Sequence, residues 1–172
     1  MYEPSIRIPI TVRYPARIKA GGSSDKMALN LDAVATMLDL AGVSTQMDTQ
    51  GKSLMPIMED KTVTDWLTDW LYEYYEYLGW ENVKPCRGIR TERYKLIQYF
   101  LPPEEFELYD LQVNPDEKHN LYGDPQYKEL ANKLRARREE LRKETGITNT
   151  SHQGYRCVRG TKNKRRSEDG CL

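Results

Sequence analysis

Gly88-Ile89-Arg90-Thr91-Glu92-Arg93-Tyr94-Lys95-Leu96-Ile97 decides the reading of this 172-residue chain. Gly88–Glu92 and Tyr94–Phe100 are β-like runs, and the polar link between them suits a hairpin. The link lacks glycines, so it reads as a charged turn rather than a phosphate cradle. Beyond the Pro102-Pro103 break, Glu107-Leu108-Tyr109-Asp110-Leu111 is a further short strand. The clearest helix follows, with Asp124 as N-cap and Pro125 at the first helical position. Its apolar stripe is Tyr127, Leu130, Leu134 and Leu141, and Gly146 ends it. Strands followed by a covering helix describe a small α+β subdomain.

Upstream the pattern is more open. Trp66, Trp70 and Tyr74 fit helical spacing, whereas Tyr72, Tyr74, Tyr75 and Tyr77 suit a pleated surface. The residues alone predict helix to about Asp69 and strand from there. Leu31, Val34, Leu38 and Ala41 predict a helix over Leu31–Ala41, with Asn30 or Asp32 as N-cap and Gly42 as the stop. Gly51–Met58 reads as a turn and a short, Pro-limited helical segment. Ile8, Ile10 and Val12 alternate in a strand that needs neighbours, and few candidate partners follow nearby. It has the character of the continuation of an existing sheet.

Lysine plus arginine equals aspartate plus glutamate at 26 each, which gives no whole-chain argument for nucleic acid or an anionic membrane as partner. The balance hides an asymmetry. Ile147–Leu172 has six bases against two acids and carries +4, leaving −4 on Met1–Gly146. That tail shows no periodicity and reads as disordered; a basic run of this kind can bind phosphates without specificity, and no specific nucleic acid is expected. No apolar run approaches the roughly 18 residues needed to span a bilayer. Cys86, Cys157 and Cys171 have no metal-like spacing, and His119 and His152 are isolated polar residues.

Three blocks together resemble the sulfatase family of the alkaline-phosphatase-like superfamily. The first is Tyr2-Glu3-Pro4-Ser5-Ile6-Arg7-Ile8-Pro9, similar to a YExSxRxP segment. The second is Asn30-Leu31-Asp32 through Thr36–Gly42, followed by Gln50-Gly51-Lys52-Ser53-Leu54. The third is Gly88–Ile97 with Glu107–Leu111, Asn114-Pro115-Asp116-Glu117 and Asn120-Leu121-Tyr122. Their order and separation match the end of a sulfatase from Tyr2 to about Gly146.

The resemblance implies an α/β fold present as a fragment. Residues 1–64 would be the last strand and helix of a large mixed-sheet domain. Residues 65–146 would be a small α+β C-terminal subdomain of about four antiparallel strands packed by one helix, which turns Tyr72–Tyr77 toward strand; 147–172 is the basic tail. Sulfatases hydrolyse sulfuric esters with a formylglycine made in a C/S-x-P/A-x-R motif and with Ca²⁺ held by acidic ligands. Neither the motif nor those ligands is found in this sequence, and the lysine that precedes YExSxRxP in the family has no counterpart before Tyr2. The expectation is a C-terminal fragment of a sulfatase acting on sulfated carbohydrate, inactive without the N-terminal part of the same polypeptide. Full-length relatives are expected to be periplasmic or secreted, with no membrane partner.

Cys86-Arg87-Gly88-Ile89-Arg90 has Cys and Arg at the modification-motif separation but Gly where Pro or Ala is needed, so it is read as a decoy. By the resemblance, Cys86 stands where many relatives carry a substrate-contacting His, and a thiol neither charges near neutral pH nor donates strongly. Glu73, Tyr74, Tyr75, Trp80, Lys84 and Arg87 are candidates for a sugar-binding rim, because aromatic faces and cations suit a sulfated sugar. An amphipathic strand and a solvated loop explain them equally. Glu3 and Arg7 are read as site-supporting residues, with a mutual salt bridge bracing the turn as the simpler account. Two other classes stay open: a stand-alone module that binds sulfated glycans or anions, and a fragment of a related phosphodiesterase or phosphonate hydrolase.

Overall fold

A computed structural model describes residues 1–43, 49–75 and 83–147. Along the chain run α1 (Glu3–Ile6), α2 (Asn30–Leu40), α3 (Met55–Met58), β1 (Asp69–Tyr74), β2 (Cys86–Thr91), β3 (Tyr94–Tyr99), β4 (Glu105–Asp110), a 3₁₀ turn (Pro125–Tyr127) and α4 (Lys128–Glu144). They form two compact units, one of Met1–Ile6 with Trp70–Leu172 and one of Arg7–Asp69.

The first unit is a sheet of order β1-β2-β3-β4. The hairpin expected from Gly88–Ile97 is present, with β2 and β3 antiparallel and Ile89 opposite Leu96. In the antiparallel β3–β4 ladder Leu96 faces Leu108. Because side chains alternate along a strand, this register sets Ile89, Leu96 and Leu108 in one row. All three are fully buried, and they pack on Ala131, Leu134 and Leu141 of α4. Burying a side chain of this size stabilises by roughly 1.5–3 kcal/mol, so the row and the helix stripe hold the unit together.

Both ends of α4 follow the sequence signals. Asp124 accepts the Gln126 amide at 2.9 Å, although Pro125 opens a 3₁₀ turn before the α-helix begins at Lys128. At the far end Gly146 takes φ 72°, which L side chains resist, and the Ile147 amide reaches back to the Arg142 carbonyl at 2.8 Å.

The opposite face of the sheet is covered by the chain's own first residues. Met1 is buried there with Cys86, Ile97 and Tyr109, and Ile6, Tyr72, Tyr74 and Tyr99 pack around them. Met1 lies directly over Gly88. A Cβ at Gly88 would fall within 2.5 Å of the Leu96 carbonyl oxygen and closer still to the Met1 sulfur, so only glycine permits this approach.

In the second unit α2 ends as the sequence predicts, at Gly42 with φ 66°, but its start differs. The N-cap is Leu29, and Asp32, two residues inside, accepts the Leu29 amide at 2.7 Å and the Lys52 amide at 2.8 Å. Thr36 donates to the Asp32 carbonyl and accepts the Leu54 amide, and these polar residues are the buried ones on the helix. Val34 and Met37 are exposed instead.

Residues 7–14 form no strand, and Ile8, Ile10 and Val12 are exposed, because no described segment of the unit offers a ladder. The helix expected up to Asp69 does not form either; the Trp66 indole N–H donates to the Met27 carbonyl at 2.7 Å, and the chain enters β1 directly at Asp69. The basic tail from residue 148 lies outside the described residues.

Candidate functional site

Lys95 alternates with Ile97 and Tyr99 on the face covered by the N-terminus, and its side chain is completely buried. A buried ammonium is tolerable only when paired. Its Nζ lies 2.7 Å from Glu3 Oε1 and 2.6 Å from Glu117 Oε1, and donates to the Met1 carbonyl at 3.1 Å. Arg90 meets the other side of Glu3, with Nη2 3.2 Å from Oε2. Glu117 also accepts the Glu3 amide at 2.6 Å. Its backbone sits at φ 54°, a conformation that costs a non-glycine residue roughly 1–2 kcal/mol and that these bonds offset. Burial pushes the Glu3 carboxyl up, but the hydrogen bonds and charges of Arg90 and Lys95 outweigh it, so its pKa falls below the ordinary value. The result is a neutral cluster of two cations and two carboxylates that clamps the first turn to the sheet.

The supporting residues expected from sequence therefore separate. Glu3 turns to Lys95 and Arg90, whereas Arg7 is exposed and belongs to the other unit. Alternation also divides the rim candidates between two faces of the sheet. Cys86 and Tyr74 share the tyrosine-rich face beside Met1. Arg87 stacks its guanidinium 4.8 Å from the centre of the Phe100 ring, and Tyr75 packs 6.2 Å from the same ring. The Tyr75 hydroxyl donates to Glu73, which pairs with Arg142 at 2.8 Å. Lys84 is half-exposed and pairs with Glu105 at 2.6 Å. Trp80 lies outside the described residues.

Cys86 is 1% exposed at the start of a strand, and burial raises its thiol pKa. A protonated, covered thiol is a poor nucleophile. In the native chain at neutral pH, alkylation of Cys86 by iodoacetamide is expected at least tenfold slower than in urea, as read by peptide mass mapping; equal rates would contradict its burial.

A family model described as "N-sulphoglucosamine sulphohydrolase, C-terminal" matches residues 1–144. The chain belongs to this family. The resemblance of Tyr2–Gly146 to the end of a sulfatase is thereby confirmed. An N-acetylglucosamine-6-O-sulfatase of Bacteroides thetaiotaomicron is 40% identical over 146 residues, which are 84% of this chain and 26% of that protein. An ulvan-active sulfatase of Formosa agariphila is 30% identical over 158 residues, covering 75% of this chain and 31% of the relative. A solved structure of a protein with its substrate D-glucosamine-2-N,6-O-disulfate superposes with a TM-score of 0.75 at 39% identity, over 80% of this chain and 28% of that one. The chain thus spans about a quarter to a third of the length of these relatives.

Within this sulphohydrolase C-terminal unit, sequence reasoning missed Lys95 and Glu117 as the partners of Glu3. The available signal was a lysine alternating with Ile97 and Tyr99 in a strand. The position of Glu117, 22 residues further on in a turn, left no periodic trace.

Proposed function

We propose that this chain is the C-terminal portion of a sulfuric ester hydrolase acting on sulfated carbohydrate, and that it braces the reaction site without supplying the group that attacks sulfur. The family match over residues 1–144 carries this reading. The 40% identity to an N-acetylglucosamine-6-O-sulfatase, and the fold shared with the protein bound to a disulfated glucosamine, favour a sulfated glucosamine over other sugars.

Calcium and formylglycine belong to the chemistry such an enzyme performs. Among the described residues no group of His, Cys, Asp or Glu could hold a metal ion. Glu3 and Glu117 are already saturated by Lys95, Arg90 and a backbone amide. These residues do not fit the cation. Their part is positional: the buried cluster fixes where the chain leaves the sheet at Ile6, and the residues that follow enter the other unit.

We read residues 1–64 as the last piece of the large domain, with Met1–Ile6 packed in the sheet unit and the rest of it in the unit Arg7–Asp69. Its alternating Ile8, Ile10 and Val12 and the exposed Val34 and Met37 are the pattern of elements that pack on a sheet. Lys84, an exposed cation just before Cys86, is our first candidate for a sugar contact; Arg87 and Tyr75 lie on one face of the sheet beyond it, Tyr74 and Cys86 on the other, and Trp80 is nearby in sequence. In a full-length enzyme Lys84→Ala is expected to raise KM for a 6-sulfated N-acetylglucosamine about three- to tenfold with kcat little changed, as uniform binding is lost. An unchanged KM would remove it from the rim.

The reading is tested at the gene and in the tube. In-frame sequence upstream is expected to encode a C/S-x-P/A-x-R motif and acidic calcium ligands. The product carrying it is expected to release sulfate from 6-sulfated N-acetylglucosamine, and the 172-residue chain alone to release none. Upstream sequence without those features would contradict the proposal.

A further inference from the structure

The covered face of the sheet carries a second polar cluster, separate from the one at Lys95. Glu107 lies opposite Ile97 in the β3–β4 ladder and so points to the side on which Met1 packs. Tyrosine hydroxyls gather on its carboxylate. The Tyr2 hydroxyl donates to it from 3.0 Å of either oxygen, and the Tyr99 hydroxyl lies 3.4 Å from Oε2 and from the Tyr2 oxygen. The Tyr109 hydroxyl interacts with both Glu107 and Tyr2, and its ring meets the Tyr2 ring edge-on at 6.3 Å. Burial raises the pKa of all three hydroxyls, and the Glu107 charge raises each further, so each keeps its proton.

Neighbouring residues thus take separate holds on the sheet. Glu3 reaches Lys95 on β3 and Arg90 on β2, whereas Tyr2 reaches Glu107 on β4. One hold would let a four-residue turn pivot; two holds on different strands fix its direction. Tyr2 also carries the turn, because its carbonyl accepts the Ser5 amide at 2.9 Å and the Ile6 amide at 3.2 Å. We propose that Glu107 is a positioning residue for sulfate ester hydrolysis, acting through the Tyr2 hydroxyl to orient the turn from which the chain leaves the sheet unit at Ile6. The inference rests on reading the chain as the brace of a sulfatase site. A turn set at the wrong angle misplaces the residues that follow it, and a small misplacement costs rate more than binding.

Kinetics of the full-length enzyme and amide exchange of the 172-residue chain test it together. In the full-length enzyme Tyr2→Phe keeps the ring and is expected to lower kcat for 6-sulfated N-acetylglucosamine about tenfold, with KM within about twofold. Glu107→Ala is expected to match that loss and the double variant to add little to it, because both changes cut one link. Glu107→Gln keeps an acceptor for the hydroxyl and is expected to recover most of the rate. In the 172-residue chain Tyr2→Phe is expected to speed exchange of the Ser5 and Ile6 amides at least about fivefold while the β3 amides keep their rates. A merely structural role would lower Tm and leave kcat unchanged below the melt; that result in an active full-length enzyme carrying Tyr2→Phe would overturn the inference alone, as would unchanged exchange at Ser5 and Ile6. A full-length protein that releases no sulfate would overturn the sulfatase reading, and the positioning role with it. Tyr2→Phe removes a single hydroxyl from a residue 39% exposed, so it decides the matter even where Glu107→Ala fails to fold.

Discussion

Lys95→Met lowers the unfolding free energy by about 3–5 kcal/mol, the usual cost of removing one partner from a buried ion pair. Methionine replaces the packing volume but leaves Glu117, whose side chain is 2% exposed, without its cation, and leaves Glu3 with Arg90 alone. The Met1 carbonyl loses its donor too, so the first turn is expected to detach from the sheet. Adding Glu117→Gln to Lys95→Met should recover much of the loss, because the cost lies in the stranded charge rather than in the absence of attraction. The pH dependence has a fixed sign. Glu3 has a folded pKa below its unfolded value, so its contribution is fully present above the ordinary carboxylate range near 4 and is lost as pH falls through the folded value. In Lys95→Met, acidification neutralises the stranded carboxylates. Urea titrations followed by tryptophan fluorescence should therefore show the gap between the two proteins widest at pH 7 and shrinking below pH 4. A gap that grows on acidification would contradict the clamp.

Leu96→Ala is expected to cost about 2–5 kcal/mol and to lower Tm by roughly 4–20 °C. Leu96 lies on β3 between Ile89 of β2 and Leu108 of β4, all fully buried, with α4 closing the row from above. Three strands and a helix meet at this side chain, so the surroundings cannot collapse into the space it leaves. Leu96→Met keeps the volume and should cost less than about 1.5 kcal/mol. Calorimetric melts of both variants check this. Similar Tm values for alanine and methionine would mean that the row is not the core.

The sheet unit was legible because its signals are local. The hairpin link, the strand after Pro102-Pro103 and the capped stripe of α4 each lie within one stretch of sequence, and the structure has all of them. Asp65–Asp69 misled because Trp66, Trp70 and Tyr74 mimic helical spacing, whereas the pull toward strand and the Trp66 bond to Met27 come from elsewhere in the chain. The site was legible only in outline. Glu3 stood out within its block, but its partners lie 87 to 114 residues away in β2, β3 and a turn, and no periodicity links them. The first and third of the blocks that carry the sulfatase resemblance share a physical reason. Glu3 comes from the first, Arg90 and Lys95 from the hairpin, Glu117 from the Asn114–Glu117 turn, and all four meet in one cluster. The rim candidates fared differently, because adjacent residues such as Cys86 and Arg87 point to opposite faces of a strand.

The most direct test of the central claim, that this chain braces a sulfatase site whose reactive group lies elsewhere, is sulfate release by a chimera. Residues 1–146 would replace the matching C-terminal segment of the 40%-identical N-acetylglucosamine-6-O-sulfatase. The account predicts that the chimera hydrolyses 6-sulfated N-acetylglucosamine within about tenfold of the parent, that Lys95→Met in the chimera abolishes most of that activity, and that the 172-residue chain alone has none. A folded chimera without activity, or sulfate release by the chain alone, would contradict it.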